Sequence, residues 1–342
     1  MKINLDDTGI SAKLYPFAVI RHVADIRIGI LTIREKWAFA GYDISLNDHL
    51  NEDKTGILSI PANIIPATRW MKALTPQSKL PGMDEVKVLE YPWQIFQYND
   101  WAIRQDFELV TSGRESGSVS NTNRSVSPEN IFLEPGTIVE HCILNASAGP
   151  IYIGKNAQIM EGCMLRGPVA LCEGAVLKMG SKVYGATTIG PYCVAAGEIK
   201  NSVMFGYSNK AHDGYLGDSV IAEWCNLGAG TTNSNVKNTA GQVKVWCNHE
   251  QDYVTVGQKC GLLMGDYSRA AINTSFNTGT VVGISCNIFA EGFPPTKVYD
   301  FTWGQEKYIF EKVLVDIDNW KKLKGHHLTQ SETEILKQLY IQ

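Results

Sequence analysis

An aliphatic residue recurs every six positions through the middle of the chain. Seven consecutive repeats keep this spacing without a miss, at Ile153, Ile159, Leu165, Leu171, Leu177, Val183 and Ile189. Four residues after each stands a small or compact residue: Ala157, Cys163, Val169, Ala175, Ser181, Thr187 and Cys193. A period of six fits neither an α-helix nor a single alternating strand. It predicts a parallel β-helix built from hexapeptide repeats, with the aliphatic residue inside a triangular prism.

The same period returns later in the chain and sets the length of the prism. It recurs at Met264, Ala270, Phe276, Val282 and Ile288, and the block Leu216–Thr232 keeps the spacing with one residue dropped. We therefore expect the prism to span residues 130–297. The aperiodic polar stretch Asn233–Lys259 must leave the coil as a loop, and loops of this length are usually functional or disordered.

The segments on either side of the prism have other patterns. Residues 1–115 mix helix-type and strand-type periods and predict a small α/β domain, followed by a Ser-, Asn- and Gly-rich linker at 116–129. Residues 298–342 predict two helices. The first, Gln305–Lys324, has an apolar stripe, and the second begins at Ser331 with Glu334 completing a capping box. Their expected role is to cover the open end of the prism.

Composition narrows the class of protein. The formal net charge of −4 over 342 residues argues against a nucleic-acid surface, and nowhere do eighteen apolar residues run together. The N-terminus is acidic where a signal peptide would be basic and then apolar. The eight cysteines include no CxxC pair, so we expect reduced thiols in a cytoplasmic protein with no membrane partner.

The densest polar cluster lies between Glu198 and Asn235. Within it, Asn209–Asn235 reads NKAHDGYLGDSVIAEWCNLGAGTTNSN. This segment resembles the signature of the acetyltransferase half of the bacterial bifunctional enzymes that make UDP-N-acetylglucosamine. Matching spacing places His212, Tyr215, Asn226 and Asn235 on functional positions of that family. The resemblance covers roughly residues 130–295 and extends ungapped upstream to Glu198, Lys200 and Lys182.

The resemblance implies a left-handed coil, acetyl-CoA as acyl donor and a homotrimer with the coenzyme between neighbouring prisms. The chemistry of the residues agrees, because acyl transfer to an amine needs a base, and a neutral histidine suits that task near pH 7. His212 is then the base and Glu198 orients its ring, while Asn235 or a nearby backbone N–H stabilises the oxyanion. The remaining roles are phosphate binding by Lys182 and Lys200, sugar binding by Tyr215 and Asn226, and coenzyme binding at Ala229.

Four positions depart from that family. Lys182 replaces a phosphate-binding arginine and loses bidentate geometry, and Asp213 and Gly214 differ from the usual pair between His and Tyr. Ile272 replaces a serine near the coenzyme, in the segment Gln258–Gly283 that looks more like the archaeal and thymidylyltransferase-like branch. Two structural alternatives also stand: His212 as a surface or turn residue, and Asn226 as a structural asparagine that satisfies backbone groups at a corner.

The N-terminal segment Leu14–Trp37 resembles the nucleotidyltransferase half in outline, so the chain is similar to two-domain sugar-1-phosphate nucleotidyltransferase/acetyltransferases. That family places a Gly-rich phosphate loop before it, where this chain has Asp6-Asp7-Thr8-Gly9. We expect a truncated domain without nucleotidyl transfer. Two other readings remain: a thymidylyl- or uridylyltransferase-like enzyme that binds Mg²⁺ through Asp6, Asp7 or Asp25, and a non-catalytic trimeric scaffold.

Overall fold

A small α/β domain forms the N-terminal part of the computed structural model, which describes residues 1–48, 57–75 and 86–341. Its parallel sheet has the order Asp43–Leu46, Lys2–Asp6, Ile57–Pro61, and an antiparallel ribbon joins Ile64–Pro66 to Val86–Val88. The α-helices of this domain among the described residues are α1 (Ile33–Phe39), α2 (Thr68–Ala73), α3 (Gln94–Gln97) and α4 (Asn99–Thr111). Short 3-10 helices span Ser11–Leu14 and Val23–Asp25. The predicted α/β domain is confirmed.

The rest of the chain winds into a parallel β-solenoid of triangular section, with one sheet on each side. Sheet A contains Arg124–Val126, Ile143–Asn145, Met164–Arg166, Lys182–Tyr184, Glu198–Lys200 and Tyr215–Gly217, and Thr232–Asn233 and Ser275–Phe276 continue this side. Sheet B contains Ile131–Leu133, Ile151–Ile153, Val169–Leu171, Thr187–Ile189, Val203–Met204, Val220–Ile221, Leu262–Met264, Thr280–Val282 and Lys297–Val298. Sheet C contains Ile138–Val139, Gln158–Ile159, Val176–Leu177, Val194–Ala195, Asn209–Lys210, Asn226–Leu227, Arg269–Ala270, Asn287–Ile288, Thr302–Trp303 and the antiparallel Glu306–Lys307.

The six-residue repeat produces this architecture as predicted. All seven aliphatic positions from Ile153 to Ile189 are at most 2% exposed, because each points into the prism. The strand Arg124–Val126 pairs with Ile143–Asn145, so the solenoid begins inside the segment 116–129 that the sequence predicts as a linker. A 3-10 turn at Pro128–Asn130 carries the chain from this first strand to sheet B.

The predicted excursion at 233–259 is confirmed except at its start, because Asn233 still pairs with Phe276 in the solenoid. The excursion is built around a hairpin. Strands Val243–Cys247 and Asp252–Gly257 pair antiparallel. Val243 and Val245 are buried, and their side chains lie close to Gly279 at the edge of sheet B. The hairpin therefore packs against the prism beside the strand Thr280–Val282.

The N-terminal domain packs on the outer surface of sheet B. The rings of Phe17 and Phe205 lie 5.6 Å apart. The Thr188 hydroxyl donates to the Gly29 carbonyl at 2.9 Å, and the Asn99 side chain accepts from the Gly29 N–H at 2.7 Å. A single continuous apolar core runs through the domain and the prism. The two parts are therefore fused along sheet B.

Two helices, α5 (Phe310–Lys322) and α6 (Gln330–Ile341), pack along the corner between sheets B and C. Stacked aromatic rings line this corner, with Tyr207 and Trp224 only 4.3 Å apart and nearly parallel. Helix α5 follows Tyr308 in the chain. Just after its C-terminus, the Lys324 ammonium donates to the Tyr192 carbonyl at 2.6 Å. The helices thus cover a side of the prism, and the expectation that they close its end is wrong.

The N-terminus of α6 also differs from the prediction. Its capping box pairs Thr329 with Glu332, because the Glu332 N–H donates to the Thr329 hydroxyl at 3.2 Å and the Thr329 N–H donates to the Glu332 carboxylate at 2.8 Å. The predicted box, Ser331 with Glu334, lies two residues too late. No helix of the described residues is long and apolar enough to cross a membrane.

Candidate functional site

Three of the predicted site residues stand on successive rungs of sheet A. Lys182, Glu198 and Tyr215 are direct neighbours in the parallel register. The intervening residues of the same strands point into the prism and are buried, as Val183 and Ile199 show. Because side chains alternate along a strand, the three polar residues project outward on one side. We call Lys182, Tyr184, Glu198, Lys200 and Tyr215 the polar ladder.

Tyr184 connects the members of the polar ladder, and sequence reasoning missed it. Its hydroxyl donates to the Glu198 carboxylate at 2.7 Å. This hydrogen bond is the main reason why the pKa of Tyr184 rises to about 12. The Lys200 ammonium lies 5.9 Å from the centre of the Tyr184 ring. The sequence did contain a signal for it. Tyr184 stands two residues after Lys182 on the same strand, so both side chains point outward.

His212 lies at the corner where the chain passes from sheet C to sheet A, just before Tyr215. Four residues separate Leu177 from Lys182 and Lys210 from Tyr215, but only two separate Ala195 from Glu198. The shorter corner leaves a notch in the edge of the prism. His212 is exposed on the coil directly beyond this notch.

Lys210 fixes the corner that carries His212. Its side chain spans the notch, and its ammonium donates to the carbonyl oxygens of His212 at 2.9 Å and Ala196 at 3.2 Å. The residue is 2% exposed, and this burial lowers its pKa to about 8. Lys210 therefore holds the backbone at His212 and leaves the imidazole outside. The register places Lys210 in the inward column of sheet C that holds Leu177 and Ala195. Sequence reasoning missed it because the shortened corner before Glu198 shifts the six-residue spacing.

The predicted contact between His212 and Glu198 is not formed in the single chain. No hydrogen bond or ion pair of the described residues joins them, and Glu198 is bonded to Tyr184 instead. The His212 imidazole makes no polar or ring contact with any residue in the described part of the chain. The structure thus places a free imidazole beside the polar ladder without an orienting carboxylate.

Gly214 explains one of the departures from the resembled family. Its φ is +128°, and a Cβ at this position would lie 2.1 Å from the Thr231 carbonyl oxygen of the next coil. A side chain cannot fit so close to a backbone carbonyl, and this φ is unfavourable for other residues. The residue type between His212 and Tyr215 is therefore set by the packing of stacked corners.

Asn235 supports Tyr215 and is not available as an oxyanion donor in this arrangement. Its side-chain amide donates to the Tyr215 hydroxyl at 3.0 Å and to the carboxylate of Asp218. Asp218 is 3% exposed and also accepts from Asn201 at 2.6 Å. Both amide hydrogens of Asn235 are thus used within the chain. Burial raises the pKa of Tyr215 well above its usual range, which keeps its hydroxyl protonated.

The backbone offers another donor at Ala229. This residue lies at the sheet C to sheet A corner, one coil beyond His212, and its carbonyl accepts from the Asn273 N–H at 2.7 Å. Its own N–H has no acceptor among the residues that the structure describes. On the same corner, Ile272 follows on the next coil and is 69% exposed. The corner therefore presents a backbone N–H and an apolar side chain in line with His212.

Asn226 is separated from the polar ladder. It lies on sheet C, between Asn209 and Arg269 in the register. The ladder lies on sheet A, across the corner that carries His212. A single chain therefore does not bring Asn226 together with Tyr215 and the lysines.

The candidate metal ligands of the N-terminal domain form hydrogen bonds and an ion pair with other protein groups. Asp7 accepts from the Val23 N–H at 3.1 Å and the Asn47 amide at 2.9 Å. Asp25 pairs with Arg34 at 2.6 Å, and Asp6 accepts from the Thr8 N–H at 2.9 Å. Within 1–48, 57–75 and 86–341, no three acidic, histidine or cysteine side chains form a group that could hold a metal. The predicted Asp6, Asp7 and Asp25 set is therefore not assembled as a metal site.

The part of this domain that resembles a nucleotidyltransferase is used for packing. Arg21 forms a buried ion pair with Asp266 of the solenoid. Pro16 lies against Gly265, where an added Cβ would be 3.0 Å from the proline side chain. The segment that the resemblance places beside a nucleotide thus contacts the prism.

The comparisons with known proteins agree with this two-part organisation. Residues 3–75 match the family described as sugar nucleotidyl transferase. The chain is 30% identical over 214 residues to a bifunctional sugar-1-phosphate nucleotidylyltransferase/acetyltransferase of Sulfurisphaera tokodaii, covering 60% of this chain and 47% of that protein. It is 24% identical over 277 residues to the bifunctional protein GlmU of Methanococcus maripaludis, covering 78% and 60%. The chain spans about half the length of these relatives.

The fold is a parallel β-helix built from hexapeptide repeats, and the chain is similar in sequence to bifunctional sugar-1-phosphate nucleotidylyltransferase/acetyltransferases. The predicted relationship to two-domain sugar-1-phosphate nucleotidyltransferase/acetyltransferases is confirmed. Among solved structures, an Arabidopsis UDP-N-acetylglucosamine acyltransferase overlaps 65% of this chain and 89% of its own, with 13% identity and a TM-score of 0.22. This overlap is too loose to transfer any residue role to the present site.

Proposed function

We propose that the protein transfers an acyl group, acetyl from acetyl-CoA, to the amine of a phosphorylated amino sugar. The observation that supports this most directly is the polar ladder beside a free imidazole. A neutral amine attacks the thioester carbonyl, a C–N bond forms, the C–S bond breaks, and the thiolate of the coenzyme leaves. The amine must lose a proton during this step, and His212 accepts it in this proposal.

The other residues take roles that match their surroundings. Lys182 and Lys200 carry the positive charge of the ladder and suit the sugar phosphate. Tyr215, held by Asn235, donates or accepts at a sugar hydroxyl. The second carboxylate oxygen of Glu198 is not used by Tyr184 and accepts the imidazole N–H once a bound substrate draws His212 over the ladder. The Ala229 N–H takes the oxyanion or the coenzyme.

A direct assay distinguishes this function from its rivals. Incubation with acetyl-CoA and glucosamine 1-phosphate is expected to release free thiol, measured with a chromogenic disulfide. The same preparation is expected to release no pyrophosphate from UTP or dTTP with a hexose 1-phosphate and magnesium, because Asp7 and Asp25 are engaged with protein groups. Pyrophosphate release without thiol release would instead establish the nucleotidyltransferase that the match at residues 3–75 favours.

We also propose that the active form is a homotrimer. Asn226 lies on a different side of the prism from the ladder, so it joins a sugar site only where a neighbouring copy brings its sheet C against this corner. Light scattering is expected to give about 113 kDa, three times the chain mass of 37.8 kDa. A monomer at micromolar concentration would contradict a shared site. A trimer that releases no thiol with any amino sugar would favour the non-catalytic scaffold.

A further inference from the structure

A shallow depression of about 450 Å³ lies on sheet A, directly beyond the polar ladder and away from His212. Its lining includes Ile143, Asn145, Met164, Arg166, Lys182 and Tyr184. Ile143 and Met164 are each 46% exposed and form the apolar floor of the depression. The proposed function gives Ile143, Asn145, Met164 and Arg166 no role.

The charges around the depression are predominantly positive. Arg166, Tyr184 and Lys200 are successive neighbours in one column of the register, and Lys182 stands in the adjacent column beside Met164. Glu198, the register neighbour of Lys182, already accepts from Tyr184. Arg166 is exposed and makes no hydrogen bond or ion pair with any described residue. Three cations therefore face solvent over apolar side chains, which is the charge pattern that complements an extended anion.

The distances along the ladder exceed the length of a sugar phosphate. Rungs of a parallel sheet are about 4.8 Å apart. Ile143, Met164, Lys182, Glu198 and Tyr215 occupy consecutive rungs, so the site extends over roughly 19 Å from Tyr215 to Ile143. An amino sugar beside Tyr215 places its phosphate near Lys182 and Lys200. Beyond that phosphate, the depression still offers the Arg166 guanidinium, the Asn145 amide and the apolar side chains of Ile143 and Met164.

We propose that this depression binds a nucleoside diphosphate, and that the acyl acceptor is a nucleotide-linked amino sugar. This inference rests on the proposed function. The diphosphate lies between Lys182, Lys200 and Arg166, whose planar guanidinium restores the bidentate contact that Lys182 cannot make. The base lies over Met164 and Ile143 and reaches the side-chain amide of Asn145. The volume of the depression, about 450 Å³, lies in the usual range for small-molecule sites.

Binding of UDP and of inorganic phosphate, measured by titration calorimetry on the full chain, tests the subsite without acyl transfer. UDP is expected to bind at least tenfold more tightly than phosphate. Arg166→Gln is expected to weaken UDP at least tenfold, whereas the same charge loss at Arg69, exposed on α2, leaves UDP binding unchanged. Equal binding of UDP and phosphate, or unchanged UDP affinity in Arg166→Gln, would overturn the subsite.

Two further measurements separate this inference from the proposed function and from an interface between copies. If UDP binding depends on Arg166 but neither glucosamine 1-phosphate nor UDP-glucosamine is acylated, the proposed function is wrong and the subsite stands. If glucosamine 1-phosphate is acylated better than UDP-glucosamine and Arg166→Gln leaves that rate unchanged, the nucleotide-linked acceptor is wrong. Met164→Glu is expected to weaken UDP without altering the oligomer mass. A fall in mass would show that a second copy covers the depression.

Discussion

Replacing His212 by Asn is expected to lower the rate of acyl transfer by about 10²–10⁴-fold, the usual contribution of a positioned base. The imidazole is exposed and makes no hydrogen bond, ion pair or ring contact with any described residue, so its removal takes away no such interaction of the folded chain. The melting temperature should therefore stay close to that of the wild-type protein. Thiol release from acetyl-CoA and a thermal melt, made on the same preparation, measure both quantities.

His141 provides the matched control for this variant. It is exposed at the same sheet C to sheet A corner, several coils earlier, and its φ of +54° suits asparagine. His141→Asn should leave both rate and stability unchanged. Full activity in His212→Asn would remove the base assignment. A loss of melting temperature in His212→Asn would instead support the structural role that the sequence left open.

The fold was predictable from the sequence because the repeat is enforced by burial. Each aliphatic position from Ile153 to Ile189 must fill the same prism, so the period survives wherever a regular coil forms. The polar ladder follows almost as directly. Once Lys182, Glu198 and Tyr215 are placed on outward positions of stacked strands, their proximity is a consequence of register.

The finer contacts of the site depended on corner geometry, which the repeat does not encode. The notch at Ala196 and Gly197 arises because one corner is two residues shorter than its neighbours. That shortening brings Lys210 under His212. Similarly, the expected oxyanion role of Asn235 overlooked Asp218, whose buried carboxylate takes one amide hydrogen. The spacing of residues along the chain does not reveal these two contacts, because each depends on how neighbouring coils stack.

The role of the N-terminal domain is another result that spacing did not predict. The missing loop glycines predicted only the loss of nucleotidyl transfer. The structure adds what the segment does instead, because Arg21 and Gly29 contact the prism through Asp266 and Thr188. A domain fused to sheet B in this way stabilises the solenoid. Its integrity should therefore control the stability of the whole chain.

Replacing Lys36 by Met is expected to destabilise the protein by about 3–5 kcal/mol, as when one partner of a buried ion pair is removed. Lys36 is 1% exposed, and its ammonium donates to the Asp106 carboxylate and to the Ile28 carbonyl at 2.7 Å. Burial lowers the pKa of Lys36 and raises that of Asp106. Asp106 in turn accepts from the N–H groups of Ile30 and Leu31. The pair thus fixes the loop through which Gly29 contacts sheet B.

Urea unfolding, followed by circular dichroism, measures this loss. Lys72→Met is the control, because Lys72 forms an exposed pair with Glu108 at 3.9 Å and such pairs contribute at most about 1 kcal/mol. Combining Lys36→Met with Asp106→Asn should recover at least half of the loss, since asparagine keeps an acceptor for Ile30 and Leu31 and leaves no buried charge. If Lys36→Met unfolds at the same urea concentration as Lys72→Met, the pair does not hold this loop. The contact between Gly29 and Thr188 must then be maintained by the apolar core alone.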